Sequence, residues 1–135
     1  MTGLRRVGRM AALGVVLMLA VAACGGAGAD PDRFCDLNTE VEEMTDPFDA
    51  PSDEVRDVVS QVRGSVQELI AVAPDEIRSQ VDMVASSYLE LLDLFVAADY
   101  EADQIDSADV EATFSDEVLD AGDDVDAWIE ANCSP

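Results

Sequence analysis

Apolar residues return every three or four positions along most of this chain, the spacing that lays one stripe down the side of an α-helix. Phe34, Leu37, Val41, Met44 and Phe48 make the first stripe. It is opened by Asp30-Pro31, an N-cap residue followed by proline at the first helical position, and ended by Pro47 and Pro51. A second helix carries Val55, Val58, Val59, Val62, Val66, Leu69 and Ile70 on one face, with Arg56, Asp57, Gln61, Arg63 and Glu68 opposite. Pro74 opens a third, whose stripe is Ile77, Val81, Val84, Tyr88, Leu91, Leu92 and Phe95. At about 25 residues it runs about 37 Å.

The stretch ADYEADQIDSAD has no sustained period and reads as an acidic connection, with a short helical turn around Val110 to Phe114. Ser115 caps a last helix bearing Val118, Ala121, Val125, Trp128 and Ile129. Gly122 weakens that helix by about 1 kcal/mol against alanine. SDEVR at 52, PDEIR at 74 and SDEVL at 115 echo one another, and read as one helix-start solution used three times, acidic residues favouring the helix dipole. Four amphipathic helices with short connections predict an all-α fold, a small up-down four-helix bundle.

The chain's beginning follows another pattern. Arg5, Arg6 and Arg9 precede an apolar run from Met10 to Ala23, and no acidic residue appears before Asp30. That run is about fourteen residues, short of the roughly twenty a membrane-spanning helix needs. A basic head, a short apolar middle and small residues before a cut site are the pattern of a secretory signal peptide. Gly8 stands where a twin-arginine signal wants an apolar residue, so general secretion is the expected route. Val21-Ala22-Ala23-Cys24 resembles the lipobox of bacterial lipoproteins, an aliphatic residue and two small ones before cysteine. The resemblance implies cleavage before Cys24 by signal peptidase II and a diacylglyceryl group on its sulfur; an ordinary signal peptide with a chance cysteine is the alternative. Two acyl chains anchor stably where one does not. The expected organisation is a leader over 1–23, a flexible tether over 24–30 and a single helical domain over 31–135, held at the outer face of the cell membrane.

Composition then narrows the partners. The chain holds seven Lys+Arg, thirty Asp+Glu and no histidine, for a net charge of −23. All the cations are arginines, and three lie in the leader, so four arginines against thirty carboxylates leave a mature charge of about −26. Such a domain repels nucleic-acid phosphates and anionic lipid headgroups. Two cysteines remain, Cys35 and Cys133. Outside the cell membrane an even pair reads as a disulfide, with two free thiols as the competing reading. Parity supports the bond: with four antiparallel helices, the start of the first and the end of the last lie at the same pole, within the span a disulfide allows. FCDLNTE and AWIEANCSP also resemble small secreted actinobacterial lipoproteins, which pair a Phe-Cys near the mature start with a cysteine closing an aromatic-rich final helix. That resemblance supports the disulfide and carries no activity.

Catalytic chemistry is thin. Without histidine there is no Ser-His or Cys-His nucleophile and no imidazole metal site; without lysine there is no Schiff base and no Walker phosphate motif. A non-enzymatic protein with no cofactor is the expectation. Asp99, Glu101, Asp103 and Asp106 are the cation-ligand candidates, but counting an EF-hand loop from Asp99 places Gln104 where glycine belongs and Val110 where the closing glutamate belongs. A looser cation site remains, against a solvated connection. Trp128, Tyr88, Phe95 and Phe114 either line an interhelical pocket or fill the core. The leading expectation is a lipid-anchored interaction module that engages another envelope protein through its acidic face. The alternatives are a carrier of a small apolar ligand between helices and a weak extracellular cation module.

Overall fold

In the computed structural model, which describes residues 28–134, Asp30 starts the first helix as its neighbour proline predicts. Its carboxylate accepts a hydrogen bond from the Arg33 N–H, capping one of the donors a helix start leaves open. The described residues form α1 (Pro31–Glu43), α2 (Val55–Val72), α3 (Arg78–Ala97), α4 (Ser107–Thr113) and α5 (Asp116–Asn132), with a 3-10 turn at Ala102–Gln104 and no strand among them. No helix among the described residues is long and apolar enough to cross a membrane. The leader, Cys24 and most of the expected tether lie outside the described residues.

The described residues are all-helical as expected, but they form five α-helices rather than four. Ser107–Thr113 is a helix in its own right, not a turn at Val110 to Phe114. Asp106 caps it, its carboxylate accepting from the Ala108 N–H, and buried Thr113 returns its hydroxyl to the Asp109 carbonyl. Those are polar starts and stops, which apolar spacing does not reveal. Two other ends also shift. α1 stops at Glu43 because Asp46 turns the chain, accepting from the Phe48 N–H, so Phe48 rides on a turn. α3 begins at Arg78, after a tight turn in which the Ile77 N–H donates to the Pro74 carbonyl. Pro51 leads a matching turn into α2. The SDEVR and PDEIR echoes are therefore proline-led turns, whereas Ser115 holds the N-cap position of α5 without a side-chain cap bond.

Three buried clusters run along the helices. Phe34, Ala73, Ile77 and Val81 join the start of α1, the end of α2 and the start of α3, with Val125, Trp128 and Ile129 of α5 packed on them. Val62, Val66, Ala85 and Leu92 interlock α2 with α3. Val55, Val59 and Phe95 close the far end, where Phe48 and Tyr100 stack on Phe95 with ring centroids 4.7 and 5.6 Å away. In the first cluster the start of α1 lies with the end of α2 and the start of α3, and in the third the start of α2 lies with the end of α3, so α1, α2 and α3 alternate in direction. Cys35 and Cys133 form the expected disulfide, with 5.4 Å between their α-carbons.

α3 ends in a Schellman motif: the Tyr100 N–H donates to the Phe95 carbonyl and the Asp99 N–H to that of Val96. Asp99 takes the left-handed position, at φ 53°, that glycine usually fills. The Tyr100–Phe95 ring contact is the apolar partner such motifs carry.

Candidate functional site

The disulfide ties α1 to α5 at one pole, and Phe34 meets Trp128 there edge to face at 5.7 Å. Away from that pole the two helices pack mainly on their neighbours: α1 on α2, and α5 on α3. Between them lies a cleft of about 380 Å³, within the ~300–1,000 Å³ typical of small-ligand pockets. Val66 and Leu69 of α2 and Val81, Val84, Ala85 and Tyr88 of α3 form its floor. Phe34, Asn38 and Val41 make the α1 wall; Gly122, Val125, Asp126 and Ile129 make the α5 wall, and Phe114 closes it between α4 and α5.

Each wall follows from helical spacing. Phe34, Asn38 and Val41 recur at intervals of four and three, and Gly122, Val125, Asp126 and Ile129 do the same on α5. Gly122 opens the space: a Cβ built there meets nothing within 4 Å. Nearly all the lining is aliphatic or aromatic. Tyr88 is half-buried, and burial first, then the Asp46 carboxylate, pushes its hydroxyl above the ordinary range. Asp126 is the only acidic residue among the lining side chains, and no arginine is among them.

The aromatic candidates divide between the two readings. Tyr88 and Phe114 line the cleft, Phe95 is core, and Trp128 stands beside the cleft against Phe34. Sequence reasoning had no means of finding Asn38 and Asp126. Each is a polar residue inside an apolar interval, with a place on the wall only once the helices are packed.

The acidic candidates are strung along the connection from α3 to α4, with Glu101 before the 3-10 turn and making no side-chain cap bond. Asp99 occupies the left-handed turn after α3, Asp103 lies in the 3-10 turn and Asp106 caps α4. Among the described residues no three Asp, Glu, Cys or His side chains gather as a metal site. The arginines are engaged as well. Arg33 bonds Glu40 at 2.8 Å and Glu68 at 3.0 Å, which raises its pKa; Arg63 pairs with Asp93 at 2.7 Å and Arg78 with Asp75 at 3.0 Å. Arg56 lies over the Tyr100 ring, 5.6 Å from its centroid. With four cations so committed, the remaining carboxylates present a strongly negative surface.

No protein-family model matches this sequence, and no curated protein and no solved structure is significantly similar to it.

Proposed function

We propose that this chain is a lipid-anchored, non-enzymatic binding protein of the outer face of the cell membrane. In this reading α1, α2, α3 and α5 make an up-down four-helix bundle with α4 as a short cross-piece, and the α1–α5 cleft holds a small apolar ligand. The single observation that carries it is the cleft: four helices contribute apolar side chains to one open volume of about 380 Å³. An apolar surface of that kind gains from any occupant that removes it from water, by about 25 cal/mol per Å². The anchor is Cys24. The chain enters the described structure at Gly28, against the Ala71 carbonyl at the end of α2, the same pole at which the disulfide lies. Phe34, Leu69, Val81 and Ile129 bring the cleft down to that pole, close to where lipid would be.

Cys24→Ser tests the anchor: the variant is expected in the medium or left unprocessed, and normal processing with unchanged membrane retention contradicts the reading. Filling the cleft tests the ligand reading, because Gly122→Leu places a side chain in open space and should abolish saturable uptake of apolar probes.

The charge favours a second reading, docking to a cationic envelope protein through the acidic face. It predicts that neutralising Asp99, Asp103 and Asp106 together removes a photo-cross-linked partner on intact cells. An unchanged set of cross-linked partners rejects it.

A further inference from the structure

We infer that the occupant of the α1–α5 cleft is a cationic amphiphile, an apolar body with one positively charged, hydrogen-bond-donating or quaternary head. This rests on the preceding reading that the cleft holds a ligand. The cleft is at the small end of the usual ligand-pocket range, so the body is a single short chain or a compact ring system. Its walls define the head. No arginine lines the cleft, and Asp126 on the α5 wall has no ion-pair partner among the described residues.

The opposite wall offers the same polarity. Asn38 donates one amide N–H to the Glu42 carboxylate, 2.9 Å away, and its carbonyl oxygen is an acceptor beside an acid. Arg33, one turn earlier on α1, is already held by Glu40 and Glu68. A carboxylate or phosphate head would therefore meet Asp126 with no cation to receive it, in the field of a chain carrying −23 overall. An ammonium head meets an unpaired carboxylate. The cleft repels a fatty acid and attracts its amine counterpart.

The test uses the full chain in neutral phosphatidylcholine nanodiscs and reads Trp128, the only tryptophan, whose neighbour Phe34 lines the cleft. Three probes share an octyl tail: octyltrimethylammonium, octyl glucoside and octanoate. Signal that persists in Gly122→Leu measures partition into lipid and is subtracted, and circular dichroism confirms that the variant is folded; Val125→Phe is the second cleft-filling variant. The expected order is ammonium tightest and octanoate weakest, with about a two- to fivefold advantage for the ammonium over the glucoside, the scale of one exposed charge pair. Asp126→Asn should erase that advantage, and Asp103→Asn, outside the cleft, should keep it. Equal binding of all three probes, still blocked by Gly122→Leu, overturns the head-group inference and leaves the ligand reading standing. So does an ammonium preference that Asp103→Asn reduces as much as Asp126→Asn. Signals identical in wild type and both filled variants overturn the ligand reading together with this inference.

Discussion

The seam between α2 and α3 and the seam between α1 and α5 are built from similar residues and end differently. Along α2–α3, Val62, Val66, Ala85 and Leu92 interlock, and Leu92 is 0 % exposed. Along α1–α5, Asn38 faces a wall holding Gly122 and Asp126, and a cleft remains. One seam is held by packing. The other is tied at its pole by a covalent bond, with Phe34 and Trp128 edge to face beside it. A disulfide where side chains do not interlock lets a small helical protein keep an open volume without losing its fold. Close packing and open volume thus fall on different seams.

Removing the bond should have the largest effect on that division. The disulfide closes a loop with a sequence separation of 98, and Cys35→Ala with Cys133→Ala should cost about 4–5 kcal/mol in the chain-entropy view, read by denaturant unfolding. Loss below about 1 kcal/mol would contradict the bond as the main tie between α1 and α5. Leu92→Ala, in the interlocked seam, should cost about 2–5 kcal/mol. Val125→Ala, on the cleft wall, removes partly exposed methyl groups and should cost only about 1 kcal/mol. Equal losses at the two positions would erase the contrast.

Gly122→Ala should go the other way. The added methyl meets open space, so the variant gains up to about 1 kcal/mol of helix stability while shaving the cleft. The smallest effect is one of pH. Burial raises the Tyr88 pKa in the folded state, so the unfolded chain loses its phenolic proton first and stability falls as pH rises above about 10, the ordinary tyrosine value. Tyr88→Phe should flatten that part of the curve in melts taken between about pH 9 and 11, and an unaltered slope would mean that Tyr88 is solvated.

Much of the fold was legible in the sequence and part of it was not. The stripes of Val55, Val59, Val62 and Val66, and of Val81, Leu92 and Phe95, are buried as their spacing requires. The disulfide was legible in the even pair of cysteines, Cys35 near the start of the first helix and Cys133 at the end of the last. What the sequence could not show was decided by polar groups and by packing. The ends of α1 and α3 depend on the Asp46 turn and the Pro74 turn, and α4 depends on the Asp106 cap. Phe48 kept its place in the apolar interior but reached it from a turn. The acidic run looked like ligand chemistry because caps and cation sites use the same residues; Asp99 and Asp106 serve the backbone. Gly122 read as a weak point in a helix, and its role as the opening of the cleft emerged only from the helices around it.

The most direct test of a ligand in the cleft is native mass spectrometry of the protein isolated from its own host, wild type beside Gly122→Leu. A ligand-holding cleft gives a discrete adduct on the wild-type chain, lost from the filled variant, with Cys35 and Cys133 oxidised in both. A bare mass for the wild type, or an adduct that survives Gly122→Leu, would contradict it.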